Sequence, residues 1–81
     1  MKARVYVSLK PTVLDPQGQT IRASLQSHGH ATISDVRQGK FFEISLDGPV
    51  DRTKAAAEIE GIARDVLANP VIEDYRVELL D

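Results

Sequence analysis

The chain has no cysteine. Disulfide stapling is therefore excluded, and so is every metal site built on thiolates. No run of about 20 apolar residues exists that could cross a membrane as a helix. Charge of one sign is also lacking: 10 basic residues face 12 acidic ones, for a net charge of −2. Without a basic patch to neutralise phosphates, nucleic-acid binding is not expected. The opening residues, Met1 to Tyr6, lack the apolar core of a signal peptide, so the expected location is the cytoplasm. Aromatic residues make up only 5%.

What is present is a chain of 81 residues, 42% of them hydrophobic. That composition folds, and the length allows one domain, residues 1–81. A domain this small buries only about 60% of the surface its unfolded chain exposes. With no disulfide or metal to help, association is the expected further source of stability, as a dimer or tetramer or within a larger complex.

Ala3, Val5, Val7 and Leu9 alternate with Lys2, Arg4, Tyr6 and Ser8, the period of a half-buried strand, which Pro11 stops. Asp15-Pro16 reads as an N-cap followed by a first-turn proline. Ile21, Leu25 and His28 follow at helical spacing, and Gly29 is the expected stop. Residues 31–38 are expected as a second strand, with Ile33 and Val36 oddly spaced by three. Gln38-Gly39 then reads as the turn of a hairpin into a third strand carrying Phe42, Ile44 and Leu46. Asp51 caps a second helix. Its stripe is Ala55, Ile59, Ile62, Ala63, Val66 and Leu67, and Glu60 and Arg64 form an i, i+4 pair. After Asn69-Pro70, Tyr75, Val77 and Leu79 alternate as a fourth strand.

The order is β-α-β-β-α-β. It predicts an α+β two-layer sandwich, with a mostly antiparallel sheet and two helices on one face, in ferredoxin-like order. The opposite face carries Tyr6, Phe41 and Leu80 among Arg4, Glu43, Arg76 and Glu78, a mixture suited to a protein interface.

Candidate chemistry is sparse. His28 and His30 flank a glycine, a spacing that does not put two imidazoles on one helical face. The serines lie inside elements, outside any nucleophile-elbow context. The carboxylates sit mostly at element ends, where caps and turns use them. Two segments stand out as docking candidates. In the first, Lys10, Asp15, Gln17 and Gly18 surround a helix start that a partner or an anion could approach. In the second, Arg37, Gly39 and Lys40 place two cations around a turn.

Val7-Ser8-Leu9-Lys10-Pro11-Thr12-Val13-Leu14-Asp15-Pro16-Gln17-Gly18, Asp35-Val36-Arg37-Gln38-Gly39-Lys40 and Asn69-Pro70-Val71-Ile72-Glu73-Asp74-Tyr75 occur in one order across nearly the whole chain. In that order and spacing the chain resembles the PurS family. His28-Gly29-His30 and Phe41-Phe42 depart from the family's usual residues. The resemblance implies a subunit with no active site of its own. It implies a dimeric bridge between a PurL-type synthetase and a PurQ-type glutaminase in phosphoribosylformylglycinamidine synthase. The assembled enzyme would use glutamine, ATP and Mg; this chain alone would hold no cofactor and no metal. The competing readings on the same fold are an acylphosphatase-like enzyme and a small-ligand regulatory domain.

Overall fold

A computed structural model describes residues 1–80. Strand β1, Lys2–Leu9, is the centre of a three-stranded sheet. Its alternation is realised as expected: Ala3, Val5 and Val7 are buried on one face, and Arg4 and Tyr6 stand on the other. Helix α1 spans Pro16–Ser27. Asp15 caps it, its carboxylate accepting from the Gly18 N–H at 2.9 Å. The helix ends at Gly29, whose φ of 94° suits only glycine without strain. There the His30 N–H reaches the Leu25 carbonyl and the Gly29 N–H the Gln26 carbonyl, a Schellman closure.

Strand β2, Gly39–Ser45, pairs antiparallel with β1, placing Tyr6 opposite Phe41 and Val5 opposite Phe42. Asp47-Gly48-Pro49 breaks it as expected. Helix α2, Arg52–Ile62, starts on the Asp51 cap, which accepts from Thr53 at 2.9 Å. It runs into a π-helical turn, Ala63–Leu67. Strand β3, Glu73–Leu80, pairs with the other side of β1, so the order is β2-β1-β3, and among the described residues neither outer edge pairs with a further strand. The core lies between this sheet and α2, with Ala55, Ile59 and Ala63 buried.

The antiparallel sheet with two helices agrees with the expected α+β class. Three details are corrected. Residues 31–38 form no strand. They run back along α1, and their backbone groups take other partners: the Ile33 carbonyl accepts from the Gln26 side chain and the Gln38 N–H donates to Asp15. Consequently Gln38-Gly39 is no hairpin turn but the entry to β2. Of the two helices only α2 packs on the sheet; α1 makes no more than marginal contact with any strand. Third, Val66 leaves the expected stripe and is 73% exposed. The Ala68 N–H bonds the Ala63 carbonyl five residues back, and a turn of that width rotates Val66 outward.

Candidate partner interface

Glycine and aspartate fix the first surface. The Asp15 carboxylate is buried, with one oxygen on the Gly18 N–H and the other 2.7 Å from the Gln38 N–H. Those two backbone donors, Gln38 foremost, and the nearby Arg37 charge hold its pKa below the usual carboxylate range, against an opposing push from burial. Gly18 is pressed on the chain itself, because a Cβ there would strike the Val36 carbonyl oxygen. The backbone approach expected of a partner is thus made by the return segment, and the Gly18 N–H is already occupied.

Arg37 is exposed, but its guanidinium is tied to the chain. One guanidinium nitrogen donates to the Lys10 carbonyl at 2.9 Å and the Val13 carbonyl at 2.8 Å. Gly39 lies against the Val7 carbonyl, closer than a Cβ would tolerate. Lys10 bonds Ile72 through its backbone and faces Asp74 at 3.5 Å through its ammonium. Lys40 stands over the Phe42 ring, 5.5 Å from its centre.

All seven candidate residues therefore gather where the start of α1 and the return segment meet the ends of β1 and β2. Asp15, Gln17, Gly39 and Lys40, with Val7 and Leu9, line an open cleft of about 470 Å³. Arg37 lines a smaller neighbouring groove of about 320 Å³ with Pro11 and Asp74. Within this group Asp15 and Gly18 are buried, and Arg37 and Gly39, though exposed, are committed to backbone contacts within the chain; Gln17 and Lys40 are exposed at the rim.

The second surface is the face of the sheet turned away from α2. Tyr6 and Phe41 sit as cross-strand neighbours with ring centres 6.1 Å apart. Arg76 lies 4.3 Å above the Tyr6 ring, and Arg4 lies 5.9 Å from Phe41 while bonding Glu43 at 3.3 Å. Lys2 and Arg4 hold the Glu43 pKa below its ordinary value. Phe41 is 60% exposed at the centre of this charged frame. Alternation along the strands places these residues on one face; which rings meet which cations follows from the register, and that is set by pairing across the sheet.

Reasoning from the sequence missed a contact between α2 and β3. The Tyr75 hydroxyl donates to Glu60 at 2.6 Å, which raises the phenol pKa, and Arg64 turns instead to Asp65 at 3.0 Å. The expected Glu60–Arg64 pair is thereby replaced. His28 Nδ1 lies 2.7 Å from the Ser24 carbonyl oxygen, at the helix end. Among the described residues no three His, Cys, Asp or Glu side chains group as a metal site. No described helix is long and apolar enough to cross a membrane.

Residues 2–81 match a family model described as PurS, phosphoribosylformylglycinamidine (FGAM) synthase. The phosphoribosylformylglycinamidine synthase subunit PurS of Mycobacterium leprae is 49% identical over 94% of this chain and 91% of its own. The crystal structure of Methanocaldococcus jannaschii PurS, one of the subunits of formylglycinamide ribonucleotide amidotransferase, superposes with a TM-score of 0.82. It is 35% identical, over 95% of this chain and 92% of that one. A chain of the Thermotoga maritima PurLQS structure gives a TM-score of 0.85 at 28% identity, over 98% of this chain and 95% of that one.

Proposed function

The chain belongs to the PurS family, and from that premise we propose that it is the small subunit of phosphoribosylformylglycinamidine synthase in purine biosynthesis. The observation that carries this reading is a match in sequence and in fold over nearly the whole chain, not over one motif. By the same likeness it assembles with a PurL-type synthetase and a PurQ-type glutaminase, in the cytoplasm, and self-associates.

Its part in the reaction is to hold, not to react. The synthetase, with ATP and Mg, makes formylglycinamidine ribonucleotide from formylglycinamide ribonucleotide, using nitrogen from glutamine. Ammonia freed at one protein must reach another before it is lost to solvent, so the two sites need a fixed separation and a covered route. A small subunit that bridges them supplies both. Gln17 and Lys40 at the cleft rim, and the Tyr6-Phe41 face, are the surfaces that reach outward for that purpose. Aromatic rings framed by arginine are the composition of protein interfaces. Asp15, Gly18, Gly39 and Arg37 act behind them by fixing the cleft.

Reconstitution tests the proposal. Synthetase and glutaminase are mixed with and without this chain, and product is measured with glutamine or with high ammonium as nitrogen source. Glutamine-dependent synthesis is expected to collapse without the chain while ammonium-dependent synthesis persists. Loss of both activities would overturn the bridging role and place the chain in the chemistry itself.

A further inference from the structure

Leu14 is 63% exposed, yet the backbone on both sides of it is tied down. The loop between β1 and α1 closes as a turn, with the Val13 N–H on the Lys10 carbonyl at 2.9 Å. The Lys10 N–H donates to the Ile72 carbonyl at 2.9 Å, which fastens the loop to the residue before β3. The Val13 carbonyl belongs to the peptide that leads into Leu14, and Arg37 holds it at 2.8 Å. On the other side Asp15 is buried, with the Gly18 and Gln38 N–H groups on its carboxylate. An apolar side chain left in water adds little to the stability of the monomer, whereas fixing its backbone costs conformational entropy. A loop set in one form around an exposed leucine is preorganised for contact.

Helix α1 and the return segment form an arm, residues 15–38, and Arg37 lies at its end, 27 and 24 residues from the carbonyls it holds. One planar guanidinium nitrogen carries two hydrogens and directs one at each acceptor, Lys10 at 2.9 Å and Val13 at 2.8 Å. Both acceptors are neutral, so the tie uses direction more than charge. The surface around Leu14 is uncharged as well. Pro11, Thr12 and Val13 precede it, Pro16 and Gln17 follow the buried Asp15, and the Lys10 ammonium faces Asp74 at 3.5 Å. A second aliphatic residue is held out in the same manner. Val71 is 78% exposed, its N–H is fixed on the Asn69 side chain at 3.0 Å, and it adjoins the Ile72 that Lys10 bonds.

We propose that Arg37 is a positioning residue for the glutamine-dependent reaction and acts through Leu14, holding the loop in the form that seats this leucine in an apolar pocket of a partner subunit. The kind of partner follows from the chemistry of the loop. Uncharged aliphatic side chains on a fixed backbone fit an apolar protein pocket, where a few anchors carry most of the binding. Arg37 itself stays on its two carbonyls and does not touch the partner. This deepens the reading of the chain as the bridging subunit and rests on it.

Synthetase and glutaminase are titrated with the chain, and the concentration giving half the maximal glutamine-dependent rate is read. Leu14→Ala removes little buried area, so the melt should stay as it is while this concentration rises about tenfold. Arg37→Ala should raise it by a similar factor with the plateau rate kept. Arg37→Lys keeps the charge but not the two planar N–H groups, so it should not rescue, and the shift should be equal at low and high salt. Added to Leu14→Ala, Arg37→Ala should contribute less than about threefold more, because both act through one contact. Full additivity, rescue by lysine or an effect that fades with salt would overturn the positioning role. An unshifted Leu14→Ala would overturn the anchor, and so would a loss of self-association by that variant in sedimentation, which would place Leu14 between copies. If Arg37→Ala loses the fold, Leu14→Ala and Arg37→Lys still decide the matter. The wild-type chain in the same titration reads the bridging role separately: no gain in glutamine-dependent rate from it would be the failure of that role.

Discussion

The two helices of this chain carry similar lengths and opposite fates. Helix α2 lies on the sheet, and Ile59 and Ala63 are wholly buried beneath it. Helix α1 stands away from the sheet, and its one buried residue is a glycine. The first is held by apolar area, the second by a few directed polar bonds at its root. Burial of a side chain such as isoleucine contributes about 1.5–3 kcal/mol, whereas a hydrogen bond exchanged with water nets about 0.5–1.5 kcal/mol. The sheet–α2 half should therefore set global stability, and the arm should open below it.

The harshest challenge to that division is Ile59→Ala. A cavity under the sheet should cost about 2–5 kcal/mol in denaturant melts, with an unchanged m-value. Ile62→Ala, at a half-buried neighbour, should cost clearly less. Equal losses at the two sites would mean that the core is not centred where α2 crosses the sheet.

A change in the arm should behave differently. Gly18→Val drives a side chain into the Val36 carbonyl, which is backbone and cannot swing aside. Amide protection over residues 16–38 should fall by about 10–100-fold while β1 and α2 keep theirs, the pattern of a local rather than a global opening. Hydrogen exchange read residue by residue checks this. A uniform loss of protection would merge the two halves into one cooperative unit.

Acid should sharpen the contrast more gently. The folded Asp15 pKa lies below the ordinary aspartate value, so the carboxylate stabilises the packing of α1 on the return segment at pH values above the unfolded chain's pKa. As pH falls from about 4 through the folded pKa, that contribution is lost. Exchange at the Gly18 and Gln38 amides should then quicken before the core melts. Asp15→Asn should remove this pH dependence at those amides and leave any contribution from Glu43, whose pKa is also lowered, in place.

The same division explains what the sequence made legible. Elements whose partners are near in the chain were readable: the β1 alternation, the Asp15 and Asp51 caps, the glycine stop at Gly29. Residues 31–38 were not. They carry strand-like residues, but their backbone partners are side chains on Gln26 and Asp15, and nothing local distinguishes those from a neighbouring strand. Arg37 looked like a turn cation because its acceptors are carbonyls 24 and 27 residues away. Val66 was misplaced by a turn one residue wider than the helical period. Of the candidate site, the clustering of the seven residues was visible as two motifs. Their separation into residues that hold and residues that reach required the contacts themselves.

The mildest effect on stability is expected on the face that neither helix covers. Phe41 is 60% exposed, so Phe41→Ala removes little buried area and should cost under about 1 kcal/mol. The Tyr6 ring keeps Arg76 above it, and Arg4 keeps Glu43, so the frame around the vacated position stays formed. An aromatic residue exposed inside a charged frame has small value to the folded monomer but large value to an interface, where anchors of this kind dominate binding. Phe41→Ala should therefore weaken capture by the synthetase or the glutaminase by at least about tenfold, or about 1.4 kcal/mol, far more than it alters the melt. Titration of labelled variant and wild-type chain against each partner separates the two quantities. Binding unchanged at both partners would show the open face to be free in the complex and would assign docking to the Gln17 and Lys40 rim of the cleft.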